Sequence, residues 1–314
     1  MRGRSKRTLS TPFNQLQHKL AASPIFAAVP ALARRNAGMP DSGTSGSLLG
    51  SIGSLEVRLA GKHKQIKRAQ RLRYQVFYGE MGAIADARTL RKRRDIDGFD
   101  RICDHLLVYD RNPKPGKLWG KPELVGTYRL LNGPVAAAHG GFYSQSEFAV
   151  ADLVARHPQL NFLELGRSCV RADYRGKRTI ELLWHGIWSY VRRHGCDVMI
   201  GCASFEGTDP DALAMPLSFL HHHAAAPDQW RVSALPHRHV DMNRVAKDRL
   251  DQKAALRALP PLIKGYLRLG AFVGEGAVID HQFGTTDVLI IMPVAAINER
   301  YITHFGPGAE RHAA

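Results

Sequence analysis

From Thr179 to Arg193 the large apolar side chains return with helical spacing. Ile180, Leu183, Trp184, Ile187, Trp188 and Val191 stand at i, i+3, i+4, i+7, i+8 and i+11, which predicts an amphipathic helix with one buried stripe. Gly195 ends it. Phe162–Val170 (FLELGRSCV) before it reads as a central strand, and Val198–Ala203 (VMIGCA) after it as a buried one. A helix with one apolar stripe must bury it against a neighbouring layer, and here the adjacent elements are strands.

The remaining pattern fits that arrangement. Leu55–Leu59 (LEVRL) alternates as a strand, and Lys64–Phe77 is helix-compatible through Ile66, Ala69, Leu72 and Val76. His105–Tyr109 and Leu124–Leu131 read as meander strands joined by the proline-rich turn Asn112–Pro122. Asp209 and Pro210 signal a helix start, with Pro216 kinking or ending that helix. Residues 227–262 give no clear pattern, and Ala277–Asp280 and Asp287–Met292 read as paired strands. The order gives a mixed α/β (α+β) fold, a central mixed sheet flanked by helices, rather than a strictly alternating doubly wound sheet.

Residues 1–54 read as a leader. They hold seven Lys/Arg against one acid, Asp41, and end in a Gly/Ser-rich linker over Asp41–Ser54. Phe13, Leu16 and Leu20 suit a short membrane-touching helix, and a tail without fixed structure is the other reading. Pro24, Pro30 and the polar residues Gln15, Gln17, His18 and Lys19 make a poor export signal. The folded domain is placed at 55–305, with a C-terminal extension, and 306–314 as a tail. Four scattered cysteines without metal spacing read as reduced packing residues. The net charge of +16 draws polyanions: nucleic acid, an anionic membrane or an acidic protein. No helix-turn-helix, RNP-type or zinc-finger pattern supports nucleic acid. No metal is expected: His221–His223 reads as an exposed helix end, and Gly274-Glu275-Gly276 is too short to be a nucleotide loop.

The densest chemistry lies at Glu164-Leu165-Gly166-Arg167-Ser168-Cys169-Val170 and the basic turn Arg171, Arg175, Gly176, Lys177 and Arg178. In a regular strand Glu164 and Arg167 point to opposite faces. A bulge near Gly166 would bring both to one face and free backbone amides. The helix start after Gly176 suits a phosphate. A structural ion pair beside a helix start is the bland alternative. Cys169 has no histidine placed in sequence to activate it as a nucleophile.

Val170–Leu183 (VRADYRGKRTIELL) resembles the acyl-donor turn of the GNAT superfamily, with Arg178 and Ile180 where that turn has glycines. This departure fits a branch taking its acyl group from acidic acyl-carrier protein rather than coenzyme A, with the cluster Arg91–Arg94 as further contacts. Leu72–Phe77, Asp97–Asp100, Gly126–Leu131 and Glu164–Ser168 are similar, in order, to blocks of acyl-homoserine-lactone synthases. The fuller block Glu164–Trp184 and the extension Pro260–Ile290 resemble the sister family of ornithine–acyl-carrier-protein N-acyltransferases, which make lyso-ornithine lipid.

That resemblance implies a GNAT-type fold and a cytoplasmic enzyme, at most peripheral to the inner membrane. It would move a (3-hydroxy)acyl chain to the α-amine of ornithine, with acyl-carrier protein as donor and partner and no tightly bound cofactor. Glu164 is the candidate general base, with Gly166 and Arg167 completing the catalytic set. Arg73, Arg129 and Arg167 are candidates for the acceptor's carboxylate, and Asp97 and Asp100 for its second ammonium. An internal salt-bridge network is the competing role for these residues. Rival functions are lactone synthesis and a non-enzymatic protein binding nucleic acid or membrane.

Overall fold

Nine strands among the described residues form one sheet in the order β1-β2-β3-β4-β5-β6-β9-β7, with β8 also on β9. They are β1 (Leu48–Ile52), β2 (Leu55–Leu59), β3 (Asp104–Asp110), β4 (Glu123–Asn132), β5 (Phe162–Val170), β6 (Val198–Glu206), β7 (Phe272–Val273), β8 (Val278–Asp280) and β9 (Thr285–Pro293). The computed structural model describes residues 46–112 and 122–297. The leader up to residue 45, most of the proline-rich turn and the tail lie outside the described residues. The expected linker ends earlier than its composition suggested: Leu48–Ile52 pairs antiparallel with β2 and forms the sheet edge.

The helices are α1 (His63–Arg73), α2 (Ala87–Lys92), α3 (Gly133–Ala138), α4 (Val150–Arg156), α5 (Lys177–His194), α6 (Ala214–His223), α7 (Gln252–Ala258) and α8 (Pro261–Arg268). Strand alternation decides which helix meets which face. Leu106 and Val108 of β3 pack with Leu182, Leu183 and Ile187 of α5, while Leu107 and Tyr109 pack with Ala69 of α1. The sheet is therefore covered on both sides. None of the described helices is long and apolar enough to cross a membrane.

The stripe of α5 is rotated from its sequence expectation. Ile180 is 47% exposed, and the face against the sheet runs through Thr179, Leu182, Leu183, Gly186, Ile187, Tyr190 and Val191. Two residues explain the rotation. A Cβ on Gly186 would lie 2.8 Å from Val57 and 2.9 Å from Leu106, so glycine lets the helix sit close. Tyr190 enters the core because its hydroxyl donates to Asp104 at 2.7 Å. Gly195, at φ 57°, ends the helix as expected.

Other elements differ more. The helix expected at Asp209 begins at Ala214; Asp209 instead caps the turn by accepting from the Asp211 amide. Pro216 is the third helical residue, where its missing N–H removes no helix bond. His221–His223 end that helix half-buried rather than exposed, and His222 Nε2 lies 2.9 Å from the Val245 carbonyl. Helix α7 lies in the stretch without clear pattern and α8 begins at its end, tied to the sheet through Tyr266 and Tyr128, whose hydroxyls are 2.8 Å apart. After α1 the chain continues as a π-helical segment, Tyr74–Glu80.

Candidate active site

The chemistry gathers where β5 leaves both neighbours. Strands β5 and β6 are parallel, and their ladder covers only Phe162–Glu164 against Val198–Ile200. On the other edge, Thr127 pairs with Cys169 but Arg129 with Gly166, so β5 carries one extra residue. This is a bulge near Gly166, as the Glu164–Arg167 spacing called for, and its left-handed residue is Arg167, at φ 50°. The bulge reverses the alternation: Leu165 faces the α5 side, whereas Cys169 packs against Leu72 and Val76 on the α1 side. Arg167 thereby shares a face with Glu164. A Cβ on Gly166 would meet nothing within 4 Å.

Glu164 is buried and held by a short turn, Tyr143–Ser146. Its Oε2 accepts from the Tyr143 amide at 2.8 Å, and Oε1 accepts from the Ser144 amide at 2.8 Å and hydroxyl at 2.6 Å. Burial raises its pKa by more than these bonds and Arg129 lower it. The sequence pattern singled out Glu164 but gave no sign of the Tyr143–Ser144 cradle.

Behind it lies a lattice of alternating charge. Arg73 bridges Asp95 and Asp100, each at 2.7 Å; Arg129 meets Asp97 at 2.6 Å and Asp100 at 3.5 Å; Arg167 reaches Asp95 and Asp97, each at 3.5 Å. Asp95 completes the lattice although its pattern carried no role. Burial alone would push the Asp100 carboxyl up, but Arg73 and Arg129 together hold it below the usual range. Arg73, Arg129 and Asp100 expose only 1%, 4% and 4% of their side chains. Their contacts here are with one another, which is the internal salt-bridge network named as their competing role. Asp97 and Arg167, at 24% and 15%, reach its surface. The Arg167 guanidinium lies over the rings of Tyr143 and Phe283, at 4.8 and 4.9 Å. Phe283 comes from the turn between β8 and β9, so the C-terminal extension roofs the site.

The basic turn is divided. Arg171 pairs with Glu123 and Asp173, Arg175 with Glu80, and Lys177 with Glu181 at 3.4 Å. Arg178 is exposed and makes no ion pair among the described residues. Gly176 is the N-cap of α5, and no side chain caps that end. Cys169 is buried with its thiol pushed up to about 12 by burial, the reverse of what a nucleophile needs. All four cysteines are unbridged, and the three deepest are packing residues.

Residues 72–185, which hold this lattice, the bulge and the basic turn, match the family model of an acetyltransferase (GNAT) domain. An L-ornithine N(alpha)-acyltransferase of Agrobacterium fabrum is 52% identical over 264 residues, spanning 84% of this chain and 89% of that protein. The chain belongs to the L-ornithine N(alpha)-acyltransferase family. The enzyme of that name from Brucella abortus is 54% identical over 84% of this chain and 93% of its own length, and the one from Rhodobacter capsulatus 43% over 79% and 93%. The chain is thus an acyltransferase of GNAT fold, and its sheet flanked by helices is that fold. Membership falls where the block Glu164–Trp184 pointed, in the acyltransferase family rather than among lactone synthases.

Proposed function

We propose that this acyltransferase moves a 3-hydroxyacyl chain from acyl-carrier protein to the α-amine of ornithine, giving lyso-ornithine lipid. The observation that carries the reading is the bulge that sets Glu164 and Arg167 on one face where the β5–β6 ladder opens.

At pH 7 an alkylammonium of pKa ~10.4 leaves its nucleophilic free amine ~4–5 kcal/mol uphill, at ~1.36 kcal/mol per unit. This is an upper figure for an α-amine. Glu164 is suited to take the proton. Its Oε1 already accepts two hydrogen bonds and Oε2 one, so one lone pair of Oε2 stays available. Burial raises its pKa, which makes it a stronger base than an exposed carboxylate. Arg167, fixed by Asp95, Asp97 and two aromatic rings, presents a fork suited to the acceptor's carboxylate. The open edge of β5 beside Gly166 suits the thioester arm, and backbone amides there would stabilise the tetrahedral oxyanion. No covalent acyl-enzyme is part of this scheme.

The donor preference rests on surface charge. Around Lys92 stand Arg88, Arg94, Arg91 and Lys67, close enough to lower the lysine's pKa. This cluster suits an acidic carrier, and Arg178 is a further exposed cation, whereas Arg171 and Arg175 already have acidic partners. Contact of the basic leader with an anionic membrane would place the lipid product beside its destination.

The test is a transfer assay with purified protein, a long-chain 3-hydroxyacyl carrier protein and a panel of amines, read by mass. Acylated ornithine with release of free carrier thiol is the expected result. Consumption of acyl-coenzyme A with no use of the carrier would overturn the donor assignment, and use of neither donor would overturn the reaction.

A further inference from the structure

The acids of the lattice all have guanidinium partners. A second acidic group on the same side of the sheet has, among the described residues, one ion pair for three carboxylates. Glu147, Asp280 and Asp287 each place a carboxylate oxygen within 4.8 Å of the others. Glu147 and Asp287 are 3% and 7% exposed. The cation paired with this group is Arg238, 3.5 Å from Glu147 Oε1. Asp280 Oδ1 accepts from the amides of Gln282 and Phe283 at 2.8 and 3.0 Å. Cys202 Sγ donates to Glu147 Oε2 at 3.3 Å. The Asp287 Oδ1 atom is buried without a hydrogen-bond partner. An unpaired carboxylate oxygen costs the fold its desolvation unless something binds it.

The group adjoins the transfer site at three points. Glu147 follows the turn whose Tyr143 and Ser144 hold Glu164. Cys202 lies two residues beyond Ile200, the partner of Glu164 in the β5–β6 ladder. Phe283, three residues after Asp280, lies under the Arg167 guanidinium. Burial, with repulsion from Asp287 on Glu147 and from Asp280 on Asp287, raises the pKa of both buried acids, against the lowering effect of the Ser204 and Thr285 hydroxyls on Asp287. A bound cation would relieve that repulsion. A primary ammonium has three N–H donors and no acceptor, which matches three carboxylates around one space.

Resting on the ornithine reading above, we infer that Glu147, Asp280 and Asp287 form a pocket for the side-chain ammonium of a diamino-acid acceptor and so set acceptor specificity. Ornithine would lie with its carboxylate at Arg167, its α-amine at Glu164 and its far ammonium in this pocket.

The experiment compares ornithine with norvaline, which has the same carbon chain without the ammonium, in the wild type, Asp287→Asn and Glu147→Gln. The readouts are kcat/KM and the rise in Tm on adding acceptor. The expected wild-type preference for ornithine is at least ~100-fold, as for a site built to hydrogen-bond one polar group. Either variant should cut that ratio at least ~10-fold, and ornithine should no longer raise its Tm. Equal losses on both acceptors would overturn the pocket and leave only a structural role. A wild type that acylates both acceptors equally would overturn the pocket while amine transfer stands. A wild type that acylates other amines but neither of these would overturn the ornithine reading and the pocket with it. A Tm rise with calcium or magnesium but none with ornithine, lost in Asp287→Asn, would replace the ammonium pocket with a divalent-cation site.

Discussion

One residue in an unfavourable backbone state organises the site. Arg167 sits at φ 50°, where a side chain is normally disfavoured, and that geometry turns its guanidinium toward Glu164. Arg167→Lys keeps the charge but loses the fork and the ring contacts. Its expected effect is a loss of about 2–3 kcal/mol in kcat/KM for the acceptor, as for a charge-assisted hydrogen bond, read by steady-state kinetics with carrier KM little changed. Glu164→Gln removes the proposed base, and turnover at neutral pH should fall at least ~100-fold. Glutamine's amide also faces the Ser144 N–H, so Ser144→Ala serves as the control for disturbance of the cradle. If Ser144→Ala flattens the pH profile of kcat as Glu164→Gln does, Glu164 is a positioning residue and not the base. The carboxylates also set opposite pH dependences. Asp100 has a lowered pKa, so its stabilisation is present above the ordinary carboxylate range and is lost as pH falls through its folded value. Glu147 and Asp287 have raised values, so they stabilise least when ionised, and stability is lost as pH rises from the ordinary carboxylate range through the folded values. Neutralising both should raise Tm at pH 8, and the gain should vanish near pH 4 in calorimetric scans. Glu164 and Arg167 were legible in the sequence because they lie three apart in one strand. Glu147, Asp280 and Asp287 were not, because only the topology brings them together.

At the scale of elements, the opening between β5 and β6 is where the proposed scheme lays the acyl donor. Gly201 sits just beyond the last ladder pair, and a Cβ there would come within 2.3 Å of the Leu165 carbonyl oxygen. Backbone cannot swing aside as a side chain can. Gly201→Ala should therefore push the strands apart, costing about 1–3 kcal/mol of stability or more by overpacking. It should also raise donor KM even where the protein remains folded; thermal melts and donor kinetics check the two effects separately. Periodicity and apolar runs showed β2 to β6, β8, β9 and α5, while the two-residue β7 is too short to carry a pattern. Periodicity put the α5 face off by about one position, since Gly186 and Tyr190 do not register as apolar anchors although both face the sheet. The helix expected over Lys64–Phe77 runs on to Glu80 as a π segment, and helices α7 and α8 were missed for a related reason. A seven- or eight-residue helix holds about two turns, too few to separate its period from chance. β1 was hidden by its glycine and serine, which read as linker although backbone pairing with β2 orders them.

Across the whole molecule the work divides along the chain. The GNAT match ends at residue 185, and that span holds the proposed base, the Arg167 fork and the donor turn. The inferred ammonium pocket draws Asp280 and Asp287 from beyond it, so the extension that roofs the site with Phe283 would also select the acceptor. For the proposed donor, an acidic carrier, the net charge of +16 enters. A charge total cannot say where a partner binds; the position of Lys92 among Arg88, Arg91, Arg94 and Lys67 can. If an acidic carrier docks there, its association is steered by that field and weakened by salt, since exposed charges are screened over about 8–10 Å at physiological ionic strength. Arg88→Glu with Arg91→Glu should then raise KM for acyl-carrier protein ~10-fold or more at low salt. The same pair should leave transfer from a short acyl-pantetheine thioester unchanged, because that donor carries the reacting arm without the acidic protein. Wild-type KM for the carrier should rise with added salt, and the variant's should rise less. Equal loss with both donors would place the defect in the fold, whereas a carrier KM that responds to neither salt nor charge reversal would move the docking surface away from α1 and α2.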